Sequence, residues 1–148
     1  MKFSSLHDLY LEQLKDLHSA ETQLITALPK MANAATTPQL KSAFTAHLKE
    51  TKEQLVRLNK ISTKLGQPFT GHTCAAMKGL IEEGSEWMEE DATQEVMDAG
   101  LIAAAQRLEH YEMAGYCTVH NFSELLGEKE AAKLLAELYK KKRRQTKS

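Results

Sequence analysis

Glu109 and Glu112 lie inside a long apolar run, Ala99 to Val119, where carboxylates should be scarce. Three residues apart, they share one face of a helix. That face reads Ile102, Ala105, Glu109, Glu112, Tyr116, Val119, with steps of three and four, the spacing of a buried seam. A buried carboxylate costs several kcal/mol (order of magnitude) unless it finds a proton, a partner or a metal.

Two other stretches repeat the pattern. The seam Tyr10, Leu14, Leu17, Glu21, Leu24, Leu28, Met31 puts Glu21 midway between leucines. The seam Leu40, Phe44, His47, Thr51, Gln54, Leu58, Ile61, Leu65 turns polar in its middle, and Glu50 lies beside it, one turn from His47. Carboxylates and a histidine projecting inward at mid-height from several helices is the donor set of di-iron bundles. Hard oxygen donors suit iron or manganese, a carboxylate can bridge two metals, and imidazole closes a coordination sphere. The competing explanation is a hydrogen-bonded polar layer, with Glu21 on His47 and Glu109 on Arg107 or a neighbouring helix. Any one of these residues is well explained that way. Five on three seams draw level with it, so spacing leaves both readings open.

The elements that must position these residues are all helical. Ala, Leu, Glu, Lys and Gln dominate, β-alternation is nearly absent, and only three prolines and seven glycines interrupt the chain. The first helix is expected from Ser4 or Ser5, as N-cap, to about Ala35, kinked by Pro29. Thr37 and Pro38 then restart a helix that runs to Leu65 and stops at Gly66. A loop over 67–71 precedes a short helix, Cys74 to Met88, with Cys74, Met77, Ile81, Gly84 and Met88 on one face. The long helix follows from Thr93 to Phe122. The last spans Glu128 to Lys142, with Ala131, Leu135 and Leu138 inward, and residues 143–148 should fray.

Composition narrows the function classes. A length of 148 residues with 42% hydrophobic residues supports one domain, 1–148, with its own core. A net charge of -1 gives no global field toward nucleic acid or membrane. Only the tail, Lys140 to Lys147, is strongly basic. Without interleaved aromatics it reads as a solvated helix end, not a nucleic-acid site. No apolar run is long enough to span a membrane, and no leader segment is evident. Two distant cysteines, Cys74 and Cys117, read as small core residues in a reducing, cytoplasmic setting. Tyr10, Tyr111 and Tyr116 read as core tyrosines. His110 is turned about 100° from the seam, and His7, His18, His72 and His120 show no partner spacing.

Several longer motifs carry a resemblance. Leu17-His18-Ser19-Ala20-Glu21, Ala27-Leu28-Pro29-Lys30-Met31-Ala32, His47-Leu48-Lys49-Glu50-Thr51, Cys74-Ala75-Ala76-Met77-Lys78-Gly79-Leu80 and the stretch Ala103 to Glu112 are similar, in the same order, to the YciE/YciF family of ferritin-like stress proteins. The likeness covers Leu6 to Gly127. It implies an all-α, ferritin-like (rubrerythrin-like) four-helix bundle with a short extra crossover helix. It also implies a homodimer and a di-metal centre, iron or manganese, with a role in stress response. The ligands it implies are Glu21, His47, Glu50, Glu109 and Glu112. Taken with the seams, Glu50 and Glu109 would bridge and the others would be terminal. Ferroxidase or peroxidase-like chemistry is the activity such a centre implies. One departure stands out. The family carries a Leu-x-Glu-Glu-Lys stretch on its last helix, whereas Tyr139-Lys140-Lys141-Lys142-Arg143 stands here, and a protonated lysine cannot ligate a cation. The alternative function is therefore a metal-free, degenerate bundle serving as an interaction or assembly module.

Overall fold

The computed structural model describes residues 2–147, apart from the side chains of 139 and 141–147. Five helices follow one another: α1 (Leu6–Ala34), α2 (Pro38–Leu65), α3 (Ala75–Met88), α4 (Gln94–Leu125) and α5 (Lys129–Lys147). No β-strand occurs among the described residues, and no helix is long and apolar enough to cross a membrane.

The helix ends follow the local chemistry. Ser5 accepts from the Asp8 N–H at 3.2 Å, and Thr37 from the Leu40 N–H at 3.3 Å with Pro38 in the first turn. Gly66 ends α2 in the left-handed region at φ 65, where a side chain would be strained. Cys74 is not the first residue of α3 but its N-cap, its sulfur accepting from the Met77 N–H at 3.4 Å. Pro29 does not end α1, which continues to Ala34. Two boundaries differ from expectation. Helix α4 runs past Phe122 to Leu125, and α5 passes Lys142 to reach Lys147. The side chains of the substituted Lys141 and Lys142 lie outside the described residues, as does Ser148.

α1 pairs with α2 and α4 with α5 through short connections, and α1 and α4 join the two pairs. The core is split in two. At one end Tyr10, Leu14 and Leu17 meet Leu58, Ile61, Tyr116, Val119, Leu135 and Leu138. At the other, Leu24, Leu28 and Met31 meet Phe44, Met77, Leu101 and Leu108. Helix α5 closes the first half and α3 the second, which is why a four-helix bundle needs a fifth piece here. Between the halves lies a polar layer: Glu21, His47, Thr51, Gln54, Glu109 and Glu112, all buried.

The α1 seam is buried throughout, as expected, and so is the middle of the α2 seam. The α4 seam is correct only from Glu109 onward. Ile102 is 48% exposed, and Leu101 and Leu108 are buried in its place. In its first half α4 must face both α1 and α3, so its buried side rotates toward them and away from α2.

A candidate metal centre

Helix α2 contributes His47 and α4 contributes Glu109 and Glu112 to one group. The His47 Nδ1 lies 3.0 Å from Glu109 Oε1, and Nε2 lies 3.4 Å from Glu112 Oε1. One donor atom from each residue falls within 4.8 Å of the others, a separation a single metal ion can span. All three are buried, Glu112 completely. On the next turn of α2 the buried Thr51 hydroxyl satisfies itself by donating to the His47 carbonyl at 2.8 Å.

The other two expected ligands flank this group without joining it. Glu21 is fully buried on α1. Its charge and that of Glu112 both act on the Tyr116 hydroxyl, which places Glu21 on the α1 side of the same layer. Burial first, and these carboxylates second, hold the Tyr116 hydroxyl well above the usual phenol range, so it stays neutral. Glu50 is half-buried and shares with His47, Glu109, Ile102 and Gln106 the wall of a cavity of about 510 Å³ between α2 and α4. His47 turns to Glu109 and Glu112 of α4. Arg107 does not meet Glu109. It is exposed and lines a different recess beside Trp87.

The donor set suits a metal. One imidazole and two carboxylates, flanked by two more carboxylates, present hard oxygens and one borderline nitrogen, the mixture iron or manganese takes. The layer also concentrates negative charge in a low-dielectric interior, a cost that a bound cation offsets. A second cavity of about 370 Å³ between α1, α3 and α4 mixes apolar side chains with Thr22, Gln23, Thr26, Lys30 and Ser85; it has no acid, histidine or cysteine on its walls, so it takes no part in this chemistry.

A polar network that sequence spacing does not reveal lies outside the layer. Asp16 on α1 accepts from the Tyr111 hydroxyl of α4 and from the Cys74 thiol at 3.3 Å, and His72 Nε2 lies 3.2 Å from its other oxygen. His72 Nδ1 faces Glu12 at 3.4 Å, so His72 does have partners. These contacts join residues 56, 58 and 95 positions apart. The Cys74 thiol is pushed up, chiefly by burial, so helix-start activation to a thiolate does not occur. Tyr10 and Ser123 form a satisfied buried pair at 2.7 Å, whereas the buried Tyr116 hydroxyl turns to the Glu21 carboxylate.

Comparison with known proteins agrees with this architecture. The sequence profile described as "Domain of unknown function (DUF892)" matches residues 5–148. The chain is 44% identical over 138 residues to "Protein YciF" of Escherichia coli (strain K12), covering 93% of this chain and 83% of that protein. The crystal structure of the Escherichia coli stress protein YciF superposes with a TM-score of 0.94, at 41% identity over 97% of this chain and 91% of that one. A protein called YcfI from Rhodopseudomonas palustris, provisionally described as structural, superposes with a TM-score of 0.93, at 38% identity over 99% and 96%. A Xanthomonas campestris protein at 17% identity and a TM-score of 0.78 shares the fold.

Proposed function

We propose, for a chain that belongs to the DUF892 family and is similar to the stress protein YciF, that the polar layer is a metal centre used in defence against iron or peroxide stress. One observation carries the reading: His47, Glu109 and Glu112 bring three donor atoms within 4.8 Å in the layer that divides the apolar core. Glu50, on the cavity wall, and Glu21, on the α1 side, are the carboxylates available to complete a second coordination sphere.

Iron bound there would supply one-electron redox chemistry toward ferrous substrate and peroxide. The chain's own residues would do the rest. His47 offers one ring nitrogen while a carboxylate on the other fixes the ring plane. The leucines on both sides exclude bulk water. The cavity between α2 and α4 gives small molecules and ions a way to Glu50 and Glu109. The stress setting, the homodimer and a cytoplasmic location belong to this proposal.

The test is iron oxidation. Protein loaded anaerobically with ferrous iron and then given peroxide should oxidise it faster than free iron, and Glu109→Ala should remove the excess rate. An unchanged rate in that variant defeats the reading.

A second reading is a metal-free assembly module. Its support is that His47 already sits between two carboxylates, so the layer can be neutralised without metal. It predicts a melting temperature in Glu109→Ala, and in the parent, that does not respond to added metal.

A further inference from the structure

Next to the carboxylate layer, on the α5 side, three buried polar atoms have no hydrogen-bond partner: both amide atoms of Gln54 and the Arg57 Nη1. Gln54 and Tyr116 are fully buried side chains. Buried polar groups in folded proteins are almost always satisfied by protein or by ordered water, so a cluster of orphans points to what is bound there.

The placement is not scattered. Gln54 and Arg57 are one turn apart on α2, and Gln54 follows Thr51 on the buried seam. Tyr116 is one turn beyond Glu112 on α4, and its hydroxyl feels the charges of Glu21, Glu112 and Arg57 together. The other Arg57 nitrogen, Nη2, faces Glu137 of α5 at 3.9 Å, and Glu137 is half exposed. Arg57 therefore reaches from the Tyr116 side of the layer to the half-exposed Glu137. The orphans are the donors Arg57 Nη1 and Gln54 Nε2 and the acceptor Gln54 Oε1, with the Tyr116 hydroxyl oxygen beside them as a further acceptor. That mixture suits water, which donates and accepts, better than a metal ion or a lone anion.

We propose that Gln54, Arg57 and Tyr116 bind a short chain of ordered water that connects Glu21 and Glu112 to solvent at Glu137. This gives the layer a wet side, distinct from the cavity between α2 and α4, through which water and protons reach the carboxylates without crossing the leucines. Arg57 does not shuttle protons, since guanidinium does not deprotonate. It orients the water, and Tyr116 acts as a neutral hydroxyl in the chain. The use of this route rests on the metal reading; the water site does not.

The experiment uses metal-free protein, so that it can succeed or fail whatever the layer binds. A crystal structure at high resolution should show ordered water within hydrogen-bond distance of both Gln54 amide atoms, Arg57 Nη1 and the Tyr116 hydroxyl. Water-oxygen magnetic relaxation dispersion should count about two long-lived internal waters at this site, given about three hydrogen bonds per buried water. That signal should fall in Gln54→Leu and in Tyr116→Phe, each checked for native helicity. Orphans that re-pack onto protein partners, or a dispersion signal unchanged in both variants, overturn the proposal. Failure to bind cobalt or ferrous ion, with the waters in place, overturns the metal reading alone.

Discussion

Replacing His47 with Leu separates what the layer does for folding from what it does for metal. In metal-free protein the imidazole lies 3.0 Å from Glu109 and 3.4 Å from Glu112, and both carboxylates are buried. Removing it leaves two buried acids facing each other. With the imidazole protonated, losing one partner of such a buried ion pair costs about 3–5 kcal/mol. Glu109 and Glu112 keep other interactions, so the lower end applies. For a chain this long each kcal/mol moves the midpoint by about 2–4 °C, which makes the expected loss about 6–12 °C. A metal held by the native layer at a hundred times its dissociation constant adds about 2.7 kcal/mol, or about 5–11 °C by the same scaling. His47→Leu should lose that gain as well. The assay is thermal unfolding by circular dichroism, with chelator and then with ferrous or manganous ion. If the variant melts with the parent in chelator, the layer is not the electrostatic unit described. If it keeps the metal-induced rise, His47 is not a ligand.

Three further outcomes follow from the packing. Gly100→Ala would put a Cβ 2.0 Å from the Trp87 ring, so the ring must move; a loss of about 1–3 kcal/mol and a shifted tryptophan emission should accompany it, and an unchanged spectrum contradicts the contact. Asp98 is held below the usual carboxylate range because bonds from Thr36 and Thr37 outweigh the opposing effect of burial. Its contribution is therefore present above the unfolded value and lost as pH falls through the lower folded one. Asp98→Asn should accordingly lose stability at neutral pH and show a flatter acid limb in urea titrations from pH 7 to pH 2. In the Tyr10–Ser123 pair, Ser123 also bonds the Val119 carbonyl at 2.8 Å, so Ser123→Ala strands the Tyr10 hydroxyl and should cost more, about 1–3 kcal/mol, than Tyr10→Phe; chemical denaturation showing the reverse order would remove the argument.

The α1 seam was readable because its alternating steps never break and every member is buried. The caps at Thr37 and Gly66 were readable because each needs one residue type for a stated reason. Ile102 was misplaced because α4 is apolar on most of its surface there, and the choice of buried side is made by α3, which periodicity does not see. The polar layer announced its residues, but not which would meet. His47 meets Glu109 and Glu112 of α4 because of how the two helix pairs dock. The Asp16, His72, Cys74 and Tyr111 network was invisible for a simpler reason: it is made wholly of contacts between distant segments. The basic substitution at Lys141 and Lys142 remains a sequence fact whose side chains lie outside the described residues.

The central claim is that the divided core holds a metal. The most direct test is anaerobic titration of ferrous ion into tag-free, chelator-treated protein, with bound metal measured after desalting, for the parent and for Glu112→Gln. The account predicts stoichiometric, saturable uptake by the parent and its loss in the variant. A folded helical parent that retains no metal, or a variant that binds as the parent does, contradicts it.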